Sequence, residues 1–166
     1  MRILALAAAT AAATGLLGAT AAIASPATVS VTVGPELQLK AVKSLGVREV
    51  DSLAKELQTT VEKRLAKTGA YDGARIDLVL VDAKPNHPTF KQLGDTPGLS
   101  MRSVSIGGAK IEGRAVAPDG KVTPLRYSYL EPDIRWVRGF STWTDAEDTF
   151  SQFAAELGAG KAPDER

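Results

Sequence analysis

Cysteine is absent from the 166-residue chain. That excludes disulfides, thiolate metal sites, a cysteine nucleophile and a lipid-modified cysteine at a processed N-terminus. Histidine is nearly absent too: His87 is the only one, so a histidine metal cage or a pair of histidines acting as acid and base is excluded. Charge of one sign is also missing. Twenty Lys and Arg against nineteen Asp and Glu leave a formal charge of +1, too little field to hold a nucleic acid backbone or an anionic lipid surface. Aromatic residues make up only 5% of the chain. What is plentiful is aliphatic residue: 44% of positions are hydrophobic and 23% charged, the balance of a chain that folds as one compact domain.

Residues 1–24 carry one basic residue, Arg2, then an Ala/Leu-rich run ending in Ala22-Ile23-Ala24. This is the plan of a secretory signal peptide with cleavage before Ser25. A membrane anchor is the competing reading, but Ala, Thr and Gly dilute the run, and a spanning helix needs about 20 strongly apolar residues. Loss of Arg2 brings the net charge to zero. The expected product is periplasmic or secreted, with no transmembrane segment in its mature form.

Along residues 27–33, Val29, Val31 and Val33 alternate with Thr28, Ser30 and Thr32, a strand with one buried face that Gly34-Pro35 stops. Residues 36–46 read as a connector with some helical spacing. From Val50, the residues Leu53, Ala54, Leu57, Val61 and Leu65 form one helical stripe, with Gly69 as its C-cap. Ile76, Leu78 and Leu80, flanked by Val79 and Val81, predict a central strand over residues 75–83. Residues 84–102, rich in Pro and Gly, resist assignment. A strand resumes near Ser103, and the change of apolar parity between Ile106 and Ile111 predicts a bulge at Gly107-Gly108. Ala117-Pro118-Asp119-Gly120 has the chemistry of a type I turn, followed by a return strand over residues 121–130 that Pro124 marks as an edge. Thr144-Asp145-Ala146-Glu147 predicts a capping box for a last helix, whose buried stripe is Ala146, Phe150, Phe153, Ala154 and Leu157. Residues 159–166 read as a flexible tail.

The order β-α-β-β-β-α predicts an α+β fold: a two-layer sandwich over residues 25–158, with a mixed sheet and both helices on one face. With the runs Gly46-Val47-Arg48-Glu49-Val50 and Asp82-Ala83-Lys84-Pro85-Asn86-His87-Pro88-Thr89-Phe90 as its most distinctive features, the chain resembles a group of small exported bacterial proteins of unknown function. Its element order is similar to the amino-terminal domain of the periplasmic protein TolB and of related envelope lipoproteins. The resemblance implies an envelope accessory or binding role in a Gram-negative bacterium. It supplies no catalytic residue, and without the lipoprotein cysteine no membrane tether is carried over.

No motif assigns a cofactor or a metal. Gly98-Leu99-Ser100-Met101 lacks the second glycine of a nucleophile elbow, and Gly107-Gly108-Ala109-Lys110 lacks the spacing of a phosphate loop. His87 reads as a loop histidine bonded to backbone, or as a base whose partner the sequence does not name. Of nine aromatic residues, seven lie between Tyr127 and Phe153. Strand and helix periods account for four of them. Trp136, Phe140 and Trp143 are left over, beside Arg135 and Arg138; they either pack on the sheet edge or offer an apolar face to a ligand.

Two functions follow. One is a non-catalytic envelope module that binds an envelope protein or a cell-wall component through residues 131–143 and the loop 84–102, with Trp136, Phe140, Trp143, Arg135, Arg138 and His87 as its contacts. The other is a hydrolase built on carboxylates such as Asp82, Asp95, Glu131 and Asp133, which requires two of them about 5–10 Å apart in one pocket.

Overall fold

A computed structural model describes residues 25–137 and 141–163. Residues 1–24, read above as a signal peptide, and Arg138 and Phe140 lie outside the described residues. Four strands form one sheet in the order β1-β2-β3-β4: β1 is Thr28–Val33, β2 is Arg75–Lys84, β3 is Gly108–Val116 and β4 is Val122–Leu130. β1 and β2 run parallel, whereas β2–β3 and β3–β4 are antiparallel. Parallel neighbours need a crossover connection. It is supplied by α1 (Pro35–Lys40), a wide turn (Ala41–Leu45) and α2 (Val47–Thr68). The last helix, α4 (Thr144–Gly158), lies against α2 and packs on β3 and β4. The molecule is the expected α+β sandwich with a mixed sheet.

The helical stripes do what their spacing requires. Val50, Leu53, Leu57, Val61 and Leu65 of α2 and Phe150, Phe153 and Leu157 of α4 are all buried, against Ile76, Leu78, Leu80, Ile111 and Leu125 of the sheet. Gly69 ends α2 in a left-handed conformation and donates to the Leu65 carbonyl at 2.8 Å. The far face of the sheet is polar and satisfied on its own terms. Asp77 accepts from Arg75, Arg114 and Ser30, and Lys110 pairs with Glu112.

Several local expectations are corrected. The bulge is in β2, at Val81, where the register with β3 slips between Leu80 and Asp82. The reason is the parity of burial within β2, which switches from Ile76, Leu78 and Leu80 to Ala83. β3 keeps a single parity through Ala109, Ile111 and Ala115, so its ladder with β4 runs unbroken from Gly108, and Ile106 lies before the strand begins. The connector 36–46 is helical: Leu37, Ala41 and Leu45 are buried at four-residue spacing. Its last turn is widened, the Gly46 N–H reaching back five residues to the Ala41 carbonyl at 2.8 Å. The loop 84–102 contains a short helix, α3 (Phe90–Asp95), started by a Thr89/Gln92 capping box. The capping box expected at Thr144 does not form. The Thr144 hydroxyl instead accepts from the Ser141 N–H at 2.9 Å. The tail is held as far as Pro163: the Tyr71 hydroxyl donates to the Lys161 carbonyl, and the Arg126 N–H of β4 donates to the Pro163 carbonyl at 3.0 Å.

Leu57 is fully enclosed between α2 and the sheet. Leu57→Ala is expected to cost about 2–5 kcal/mol in a denaturant melt. A midpoint that barely moves would mean that this stripe is not the core face.

Candidate functional site

The segment leaving β2 is fixed by one side chain. Asn86 is fully buried between Pro85 and His87, with every polar group used. Its Nδ2 donates to Asp145 Oδ2 at 2.6 Å and to the Ser105 carbonyl at 3.3 Å, while its Oδ1 accepts from the Asp145 N–H at 2.9 Å. Its backbone N–H bonds the Thr142 carbonyl, and its carbonyl accepts from the Ser105 N–H, both at 2.8 Å. Asp145 Oδ2 takes a further bond from the Gly107 N–H at 3.0 Å. Asp145 sits in the first turn of α4, where the helix dipole favours a carboxylate. The two glycines beside this knot are sterically required. A Cβ on Gly107 would lie 2.6 Å from Asn86 Oδ1, and one on Gly108, whose φ is +150°, would lie 2.1 Å from the Tyr129 carbonyl oxygen.

Above the knot opens a cleft of about 470 Å³. It lies beyond the carboxyl ends of parallel β1 and β2, where open sheets commonly take their ligands. The widened helical turn lends it Ser44 and Leu45, the end of β2 lends Asp82 and Lys84, and the loop lends His87, Leu99, Ser103, Val104 and Ser105. Each side chain is placed by a local cause. The Val81 bulge re-aims Asp82 into the cleft, where Lys40 meets it at 2.8 Å. His87 Nδ1 sits 3.1 Å from the Ser103 carbonyl; a carbonyl only accepts, so this nitrogen carries the proton. The Ser105 hydroxyl donates to the Pro85 carbonyl at 2.6 Å. On the outer side of the loop, the Phe90 N–H is held by Glu49 Oε1 at 3.0 Å, which ties α3 to α2.

The residues singled out in the sequence do not converge. His87 lines this cleft. Trp136, 69% exposed, and Arg135 line a second one of about 440 Å³, together with Tyr129, Glu131, Asp145 and Asp148. Arg135 Nε is clamped by both oxygens of Asp133 at 3.0 Å, which holds that carboxyl below its ordinary range. The Tyr129 hydroxyl donates to Glu131 at 2.9 Å. That bond, then burial and the negative charges of Glu131, Asp145 and Asp148, push the phenol up from its ordinary value. Trp143 is 8% exposed and belongs to the core. The two clefts share a wall, since Asn86 lines one and its partner Asp145 the other. Sequence reading missed both of these residues. The available signal was the chain's one Asn directly after Pro85, a polar type that a buried turn retains only when fully bonded.

The four carboxylates proposed for hydrolysis are engaged separately. Asp82 pairs with Lys40, Asp95 with Lys91 and Asp133 with Arg135, and Glu131 accepts from Tyr129. Among the described residues, no three of His, Asp and Glu converge closely enough to hold a metal ion.

Asn86→Ala is expected to lower stability by roughly 2–4 kcal/mol, since it orphans the buried Asp145 carboxylate and its N–H. Asn86→Asp sets two carboxylates face to face. Its deficit should be larger at pH 7 than at pH 4, where one of the pair is protonated. Equal deficits at both pH values would refute the contact. Glu147 supplies a second pH test. Burial, then the charge of Glu56 and, more weakly, that of Asp148, raise its carboxyl above its ordinary value, against a lowering hydrogen bond from Ser141. The folded state therefore holds this proton more tightly than the unfolded chain does. The stability linked to it is fully present below the ordinary carboxyl range and lost as pH rises through the folded value. Glu147→Gln should gain on the wild type between pH 4 and pH 7, and a pH-independent difference between the two would contradict this.

Set against known protein families, curated proteins and solved structures, the chain matches none of them.

Proposed function

We propose that the chain is a non-catalytic binding module of the cell envelope, exported by residues 1–24, that takes a small ligand in the His87 cleft. The observation that carries this reading is the cleft itself. It has a ligand-sized volume and walls that mix apolar groups with hydroxyls and an imidazole, and it stands on a loop whose backbone is locked by Asn86. A site built this way needs little ordering on binding, which favours affinity. The similarity to the TolB amino-terminal domain and the envelope location belong to the same proposal.

The hydrolase alternative has less support. Paired-carboxylate chemistry needs both groups in one pocket, whereas of the four candidates the first cleft takes Asp82 and the second takes Glu131. Each is already engaged by a cation or a hydroxyl. No helix among the described residues is long and apolar enough to cross a membrane.

Val104 is half-exposed on the cleft rim, so Val104→Trp should fill the cleft and leave the fold intact. Small molecules extracted from the native envelope should raise the melting temperature of the wild type and not that of Val104→Trp, because a ligand stabilises the state that binds it. A wild type that no fraction stabilises, or a variant stabilised equally, defeats the proposal.

A further inference from the structure

The two edges of the sheet are treated differently. On β4, Arg126 turns its N–H outward and gives it to the Pro163 carbonyl of the tail, and Pro124, two residues earlier on the same side, has no N–H to offer. That edge is interrupted by Pro124 and met by the tail at Arg126. On β1, Thr28 and Gly34 donate inward to the Ala74 and Leu80 carbonyls, both at 2.9 Å. By the alternation of a strand, Val29, Val31 and Val33 therefore turn their N–H and C=O groups outward. No described strand pairs with them. Natural edges discourage pairing with charged side chains, proline or bulges. β1 has none of these: its sequence is TVSVTV, every residue but Ser30 is β-branched, and its register with β2 is regular.

We propose that β1 pairs antiparallel with β1 of a second copy, extending the sheet across a two-fold axis through Val31. The strand is complementary to itself in this register. Val31 faces Val31 of the other copy and Val29 faces Val33, the outward backbone groups forming about six hydrogen bonds. All three valines lie on the helix-covered side, where Val29 is buried and Val31 and Val33 remain half-buried in the single chain. On the polar side Ser30 faces Thr32, a hydroxyl pair of the kind that stabilises cross-strand contacts. With no charge on the strand, a self-pair meets no like-charge repulsion across this seam. The second copy is favoured over a foreign peptide because each position finds its match in the same strand reversed.

Sedimentation velocity over a micromolar-to-millimolar series should show a reversible dimer. Ser30→Lys with Thr32→Lys sets like charges opposite each other on the exposed face and should weaken dimerisation about tenfold or more, most strongly at low salt. Ser30→Lys with Thr32→Glu sets opposite charges across the axis and should restore it, and circular dichroism of the double-lysine variant should show the wild-type fold. Since the chain has no native cysteine, Val31→Cys should form a covalent dimer on oxidation, the facing Cα atoms being about 5.5 Å apart. A chain that stays monomeric, a dimer that the double-lysine variant leaves intact, or a charge swap that fails to restore association overturns the proposal.

Discussion

The fold beyond the sheet depends on one buried amide. Asn86 joins the end of β2, the start of α4 and the approach to β3 in a single set of bonds. Without it, three backbone segments would have to bury unpaired polar groups, each at a cost of about 1–3 kcal/mol. With it, a long Pro- and Gly-rich connection becomes a fixed wall. The energetic balance is close: desolvating an amide and a carboxylate is expensive, and only complete pairing recovers the cost. The crowding of Gly107 against the amide is part of the same constraint, since any larger residue there would displace one of its partners.

How much of this was legible in the sequence depends on the range of the interaction that sets each feature. Periodicity reports burial on one face of one element, so the α2 stripe, the four strands and the α4 stripe could all be read from residue spacing. The Val81 bulge could not. The parity change is visible only when Ala83 is known to be buried, and an alanine between Asp82 and Lys84 carries little apolar signal. The Thr144 capping box failed for a related reason. Its sequence pattern is correct, but Ser141 took the hydroxyl first, a competition between local bonds that the motif alone does not reveal.

The candidate site was harder still. Asn86 and Asp145 stand 59 positions apart and share no motif. Tryptophan exposure also depends on tertiary packing: Trp143, at the start of α4, is drawn under the helix, whereas Trp136, on a short turn (Ile134–Trp136), is left outside. The Pro-rich loop, which resisted assignment to helix or strand, lines the first cleft through His87, Pro88, Gln92 and Leu99. Loops carry such sites when a scaffold holds them still, and here the scaffold is a hydrogen-bond knot instead of an apolar core.

The steric coupling of Gly107, Asn86 and Asp145 constrains how the chain can diverge. A change at any one of them leaves the other two clashing or unbonded, so a tolerated replacement must alter at least two together. Surface positions drift one at a time, and core aliphatics exchange within a volume, but this trio moves only as a block. A distant chain that keeps the architecture is therefore expected to show an Asn just after its second strand, a Gly at the threshold of its third and an Asp one residue into its last helix, even where every other position has changed. Three residues at those structural landmarks form a sparse fingerprint, usable where similarity along the whole sequence has faded.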